Sequence, residues 1–211
     1  MRTINSLPPD YTGKCDILFN DRDHIVVHRN FIILFTLLNS DIPIPVAAEL
    51  ALEFMYSAAL SPQAYSHLCL CASEVFGSYI LDDGKPLANE SLPTRGQGDL
   101  HVISKLDDLK DFLKMPLSTY RLEDAMKNMR STMFHPNRVD YRDRHLAGLE
   151  PAHRVAWTHH RQTGVLAPFS AKTSHLTEPN RSFHDCPSAL YNDKLINSQV
   201  VVFARWGMAH A

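Results

Sequence analysis

The 211-residue sequence lacks any complete motif from which a reaction could be assigned. It contains no G-x-S-x-G nucleophile elbow, no Walker loop, no G-x-G-x-x-G turn, no H-E-x-x-H zinc motif and no kinase signature. Glycine is scarce, with 8 residues, and its closest pair, Gly96 and Gly98, falls in a predicted loop. We interpret that pair as a simple connection between elements.

A charge excess of one sign is also absent. The formal net charge is -2 at pH 7, and charged residues make up 21% of the chain. This balance argues against a polyanion-binding surface, so we expect no nucleic acid partner. The longest apolar run, Phe31 to Leu38, is far too short to span a bilayer, and the first ten residues lack the apolar stretch of a signal peptide. We predict no membrane association and a cytoplasmic location, with the nucleus as the alternative.

Cysteine is limited to four residues, Cys15, Cys69, Cys71 and Cys186. We predict reduced thiols that fill the core, as in most intracellular proteins. The run from His67 to Cys71 resembles a metal motif, but its two cysteines are too close together for a zinc knuckle. Since its neighbours are apolar and helical in pattern, core packing is the favoured interpretation.

Two histidines, His24 and His28, lie four residues apart on a predicted helix, close to Asp21 and Asp23. This spacing can hold a transition metal. No third and fourth ligand can be identified, so we interpret both histidines as surface residues and predict no metal site.

The apolar pattern predicts a short buried strand followed by several helices. The strand covers 14–19, and turn residues follow it at 20–23. The predicted helices span about 24–38, 46–60, 62–80, 100–115, 121–133 and 152–162, with Ser61 as a cap and Gly164 as a left-handed stop. Loops are predicted at 82–99 and 170–197, whereas the pattern at 199–206 fits either a strand or a docked tail.

The element pattern suggests three segments. Residues 1-95 form an α/β portion, residues 96-169 a helical portion that packs on it, and residues 170-211 an irregular C-terminal tail. The soft boundary lies in the loop at 82–99, which contains several Gly and Pro residues.

A basic, histidine-rich region follows residue 140. It comprises Tyr141 to His145, His153-Arg154 and His159 to Arg161. Its arginines suit phosphate or an acidic partner. Internal pairing with Asp140, Asp143 and Glu150 is the favoured interpretation.

Several stretches carry a family resemblance. The most specific is YTGKCDILFNDRD at 11–23, and the others are FMYSA at 54–58, NRVDYRDR at 137–144, PAHR at 151–154 and TGVLAPF at 163–169. Over roughly residues 1–183 the chain resembles a fungal domain of unknown function that often accompanies MYND-type zinc fingers. That domain is similar to the N-terminal domain of dynein axonemal assembly factor three.

The resemblance implies an α/β fold with a partial Rossmann-like, methyltransferase-like sheet and a large α-helical portion. In the family, a first strand and a glycine-containing loop precede the position of Arg2 to Ile4, so this chain looks N-terminally truncated. The missing loop is where a nucleotide or S-adenosylmethionine tail would sit. An uncovered sheet edge would then promote self-association.

Asp21 and Asp23 are the candidate cofactor-binding residues. At the end of the second strand of a Rossmann-like sheet, a carboxylate commonly accepts hydrogen bonds from a ribose diol. Helix capping, with Arg22 and Arg29 as ionic partners, is the favoured interpretation of these two residues.

Two function classes remain open. The favoured one is a noncatalytic interaction or assembly domain with a protein partner, no cofactor and no catalytic residue. The alternative is an S-adenosylmethionine-dependent methyltransferase in which Asp21 or Asp23 holds the ribose of the cofactor.

Overall fold

The computed structural model of the chain describes residues 8, 13–21, 24–80, 91–94, 98–103, 112–136, 139–167, 171–183 and 201–207. Helices dominate this part of the chain. They are α1 (His24–Leu38), α2 (Ile44–Tyr56), α3 (Pro62–Ile80), α4 (Leu122–Met133), α5 (Val139–Ala147) and α6 (Pro151–Thr163). The large α-helical portion expected from the sequence is therefore confirmed, as are the predicted helices at 24–38, 62–80, 121–133 and 152–162. Among the described residues, no helix combines the length and apolar character that a membrane span needs.

Helix α2 is shorter than predicted because its end is set by contacts far along the chain. It ends at Tyr56, and Ser57 is extended, with φ -101° and ψ 133°. The following residues form the two-residue strand β2 (Ala59–Leu60), which pairs with β5 (Glu178–Pro179). Pro45 lies in the first turn of α2, where a backbone N–H has no helical partner to lose.

A double cap starts helix α3. The hydroxyl of Ser61 accepts a hydrogen bond from the backbone N–H of Ala64 at 3.2 Å, as expected for a cap. The carboxylate of Glu53 in turn accepts from the backbone N–H of Ser61 at 2.8 Å and from its hydroxyl. One side chain of α2 thus fixes the entry to α3.

The larger sheet contains β1 (Lys14–Asn20), β3 (Ser91–Pro93), β4 (Gly98–Ile103) and β6 (Val201–Gly207), in the order β1-β6-β4-β3. Strand β1 confirms the strand predicted at 14–19. Every pairing between the described strands is antiparallel, whereas a Rossmann-like sheet is parallel, so the Rossmann-like arrangement is not found among them.

Several sequence predictions differ from this sheet, among them the loop predicted at 82–99, which contains β3 and the first residues of β4. The helix predicted at 100–115 is wrong at its start, because Gly98–Ile103 pairs on both sides as β4. The β-branched Val102 and Ile103 favour such a strand. Within 170-211, otherwise expected to be irregular, β6 confirms the strand alternative at 199–206 and lies between β1 and β4. The division at 95 and 169 stays a prediction.

The main core lies among α1, α2 and α3. Its fully buried members include Ile32, Phe54, Leu60 and Leu68. Burying each such side chain contributes roughly 1.5–3 kcal/mol to folding. The half-buried Phe19 joins this core from β1, while its neighbour Leu18 is exposed, as strand alternation requires.

Candidate functional site

The segment after α2 is held by a side chain from the distant region 178–183. The amide nitrogen of the fully buried Asn180 donates to the carbonyl oxygens of Glu53, Phe54 and Ser57 at 3.3, 3.2 and 2.7 Å. Its amide oxygen accepts from the backbone N–H and the hydroxyl of Ser182. Asn180 therefore caps the C-terminal end of α2, where helical carbonyls have no intrahelical partner.

Gly164 lies against the same segment. Its φ is +75°, and its carbonyl accepts from the backbone N–H of Ala58 at 2.7 Å. A Cβ atom at this position would lie 2.8 Å from Cβ of Ala58 and 3.2 Å from Cβ of Met129. Only glycine combines this backbone conformation with so close an approach. The end of α6 is thus pressed against two residues of a surface cleft.

That cleft has a volume of about 310 Å³ and lies between the end of α2 and one face of α4. Helix α4 supplies side chains at positions 125, 128, 129, 132 and 133, which share a face because of the helical repeat. We call it the methionine cleft, and its wall consists of Arg29, Met55, Tyr56, Ala58, Tyr120, Ala125, Asn128, Met129, Thr132 and Met133.

The polar groups of the methionine cleft are few. The amide of Asn128 donates to the hydroxyl of Tyr120 at 3.0 Å, which fixes both side chains. Arg29 is the charged residue among the described residues of the cleft wall. The described residues of the wall include no Asp or Glu.

Helix α6 supports the cleft from behind through two basic side chains. Nε2 of His160 lies 2.8 Å from the carbonyl oxygen of Tyr56. The buried Arg161 donates to the carbonyl oxygen of Met133 at 2.6 Å, and its guanidinium lies 4.1 Å from the ring centre of Trp157. These residues position the two ends of the cleft wall.

Another arginine of the basic, histidine-rich region also makes contacts within the fold. Arg154 donates to the carbonyl oxygens of Leu149 and Ala147 and so bridges α5 and α6. Asp143, Arg144 and His145 are exposed on α5. The side chains of Asp140, Tyr141 and Arg142 lie outside the described residues.

Asp21, one of the two predicted cofactor residues, is not among the described residues of the methionine cleft. Asp21 is exposed directly after β1. Asp23 and the side chain of His24 lie outside the described residues. His28, expected at the surface, is buried, with its ring 5.1 Å from that of Phe112. The described residues contain no group of three His, Cys, Asp or Glu side chains that could hold a metal ion.

The expected core packing of the run from His67 to Cys71 is confirmed for His67, Leu68 and Cys71, whereas Cys69 is half-buried and Leu70 is exposed. The hydroxyl of Thr36 donates to the carbonyl of Ile32 at 2.7 Å, so its oxygen accepts from Nε2 of His67 at 2.9 Å. Burial lowers the pKa of His67, and the sulfur of Cys71 lies 3.5 Å from the same nitrogen. Burial also raises the pKa of Cys71 to about 12, and both Cys69 and Cys71 are free thiols.

Comparison with known protein families gives a match in the first part of the chain. Residues 1–60 match the family model of a domain of unknown function, DUF4470. This stretch contains β1, α1, α2 and β2, and it includes the cleft residues Arg29, Met55, Tyr56 and Ala58. No curated protein and no solved structure matches the chain. Links to MYND-type finger proteins and to dynein assembly stay predictions.

Sequence reasoning missed both the cleft and the Asn180 contacts that hold its edge. The sequence of α4 does contain a signal for part of the cleft, because methionines recur there at three- and four-residue spacing, which indicates one apolar helix face. These methionines are Met126, Met129 and Met133. No local pattern marks Asn180, which lies in a polar run without periodicity. Its role depends on carbonyl groups more than 120 positions earlier in the sequence.

Proposed function

We propose that the chain is a noncatalytic interaction domain that binds a protein partner through the methionine cleft. The observation that carries this proposal is the composition of the cleft wall. Three methionines, two tyrosines and two alanines stand against three polar side chains. Methionine side chains are flexible and polarisable and adapt to different apolar surfaces. Aromatic residues at a cleft are the typical anchors of protein interfaces.

A catalytic role has less support from the same residues. The described residues of the cleft wall include no His, Asp, Glu, Lys or Cys, which are the side chains that most often act as acids, bases or nucleophiles. The buried His67 and Cys71 lie in the core, and each contacts the other. Binding without chemistry is the function that these placements favour.

The exposed surface next to the cleft favours a macromolecular partner over a small molecule. Along α2, Ile44, Leu52, Met55 and Tyr56 are exposed by 66%, 48%, 46% and 43%. The first two lie eight residues apart and share one helix face, which leads into the cleft. With a rise of about 1.5 Å per residue, this strip is about 18 Å long. An exposed apolar strip of this kind is typical of an interaction surface.

The test is selection of a random peptide display library on the purified chain, followed by calorimetry with the selected peptides. Thr132→Trp fills the cleft from its exposed rim, whereas Ser131→Trp places the same bulk on the neighbouring exposed position outside the cleft. We expect Ser131→Trp to bind as the parent does, and Thr132→Trp to lose about tenfold or more in affinity, or about 1.4 kcal/mol. Failure to select any peptide, or equal binding by both variants, would reject the proposal.

The alternative methyltransferase function has one supporting observation. Asp21 is exposed at the end of β1, just ahead of α1, where a ribose-binding carboxylate lies in Rossmann-like proteins. If S-adenosylmethionine binds the folded chain, it raises the midpoint of thermal unfolding. Asp21→Ala and Asp23→Ala should then abolish the shift, while Asp41→Ala should preserve it. No shift in the parent chain rejects this alternative.

A further inference from the structure

We propose that Met55 is a site of reversible oxidation by peroxides and that its sulfoxide form weakens the binding of the partner to the methionine cleft. This inference rests on the proposed function and concerns the regulation of the same site. Three of the seven methionines in the chain belong to the cleft wall, and Met55 lies in the last turn of α2. The modified atom is its thioether sulfur.

Met55 differs from the other described methionines in its exposure to solvent. It is 46% exposed, whereas Met115 is 7% exposed and belongs to the main core. The three methionines of α4, which are Met126, Met129 and Met133, are half-buried. Because a peroxide reaches a sulfur atom through solvent, Met55 should react before the others.

The oxidation needs only a peroxide as co-reactant. A lone pair of the sulfur attacks one peroxide oxygen, an S–O bond forms and the O–O bond breaks. With hydrogen peroxide, the leaving hydroxide takes up the proton of the transferred oxygen and departs as water. The sulfur is oxidised and the peroxide is reduced. Methionine sulfoxide reductases reverse the change with a dithiol, which becomes a disulfide while the oxygen leaves in water.

The exposed position makes this modification a change in binding and not in folding. In the free chain, water donates hydrogen bonds to the sulfoxide oxygen at Met55, so the folded state is not penalised. A partner that covers the cleft removes this water and places the oxygen against a wall of mainly apolar and aromatic side chains. Burying an acceptor without a hydrogen-bond partner is unfavourable, so the oxidised chain should bind more weakly. A sulfoxide at the core residue Met115 would instead destabilise the fold.

The experiment treats the purified full chain with dilute hydrogen peroxide and follows each methionine by peptide mass spectrometry. We expect Met55 to be oxidised at least about tenfold faster than Met115. The rate at Met55 should fall when a cleft-binding peptide is present, because the bound peptide covers the sulfur. At the stage where Met55 is oxidised, calorimetry should show an affinity for the peptide that is weaker by about tenfold or more. Methionine sulfoxide reductases of both stereospecificities should restore it.

Two leucine variants locate the effect, and each is compared with its own untreated form. Met55→Leu removes the reacting sulfur, so peroxide treatment should leave the affinity of this variant at its untreated value. Met126→Leu changes a half-buried methionine that is not among the described residues of the cleft wall, so this variant should still lose affinity as the parent does. A loss of affinity in treated Met55→Leu that equals the loss in the parent would refute the assignment to Met55.

Each remaining outcome bears on one of the two proposals. Equal affinity of the treated and untreated parent for a peptide that is sensitive to Thr132→Trp, or oxidation of Met55 no faster than that of Met115, would overturn the oxidation site and leave the proposed function intact. The absence of any peptide that is sensitive to Thr132→Trp would remove the proposed function and this inference with it. The rates and affinities of the parent need no substitution, so they give a result even if a leucine variant is unstable.

Discussion

Replacing Asn180 should remove the side-chain contacts between the region 178–183 and the end of α2, while the backbone pairing of β2 with β5 is retained. The Asn180 side chain makes three donor contacts to carbonyl oxygens and two acceptor contacts to Ser182, all in a fully buried position. The amide has only two protons for three carbonyl oxygens, so at most two full donor bonds are lost. At about 1 kcal/mol for each bond, and more for a buried group left without a partner, Asn180→Ala should lower the free energy of unfolding by about 3 kcal/mol.

Urea unfolding followed by circular dichroism measures this loss. The matched control is Asn128→Ala, since Asn128 is exposed and donates one hydrogen bond, to Tyr120. We expect that control to change the free energy of unfolding by less than about 1 kcal/mol. If the two alanine variants are equally stable, the capping role of Asn180 is wrong.

Asn180→Asp separates the donor role from simple packing because it keeps the shape and the acceptor oxygen. At neutral pH the new carboxylate cannot donate and faces three carbonyl oxygens, so we expect a loss larger than that of the alanine variant. Burial next to these oxygens raises the pKa of the new carboxyl group in the folded state. Its stability relative to the parent at the same pH should therefore improve as the pH falls and worsen as the pH rises. A relative stability that does not depend on pH would contradict the donor role.

Three further predictions concern the cleft support and the core. Gly164→Ala should lower the free energy of unfolding, measured with urea, by more than about 2 kcal/mol, because the left-handed conformation alone costs about 1–2 kcal/mol and the added methyl group would contact the cleft wall. The control Gly148→Ala, whose added methyl group would have its nearest neighbour at 3.6 Å, should lower it far less. Burial lowers the pKa of His67, so as the pH falls the unfolded chain takes up a proton at this residue before the folded chain does. The contribution of His67 to the free energy of unfolding should therefore be largest above about pH 6.5 and decrease below that pH. His67→Gln should reduce the loss of stability at low pH, and an unchanged loss would contradict the buried, neutral state of His67. Brief alkylation of the native chain, read by peptide mass spectrometry, should label the half-buried Cys69 and spare Cys71 until urea unfolds the chain; equal labelling of both thiols would refute this.

The elements that sequence predicts well here are those whose signals are local. Helix α3 begins with Ser61-Pro62, and both the cap and the proline act within the first turn. Helix α6 ends at Thr163 because the left-handed Gly164 follows it directly. The strand at β1 likewise follows from a short apolar run with turn residues behind it.

The elements that sequence misses are those that depend on distant partners. Leu100 to Ile103 has too short a pattern to separate a strand from a buried helix, and its strand conformation comes from pairing with β6. The cleft needs Arg29, Tyr56 and Met129, which come from three separate elements. No periodicity within one segment shows that these side chains share a surface.

The central place of β6 has a consequence for how the chain acquires its structure during synthesis. Lys14 pairs with Gly207, so one partner of β1 leaves the ribosome long after the other. Until then β1 and β4 lack the strand that lies between them in the sheet. Nascent chains with unpaired strand edges are prone to associate with one another. Molecular chaperones that shield these edges during translation should therefore raise the yield of correctly folded chains. Formation of the long-range pairing between β1 and β6 should also limit the rate of folding.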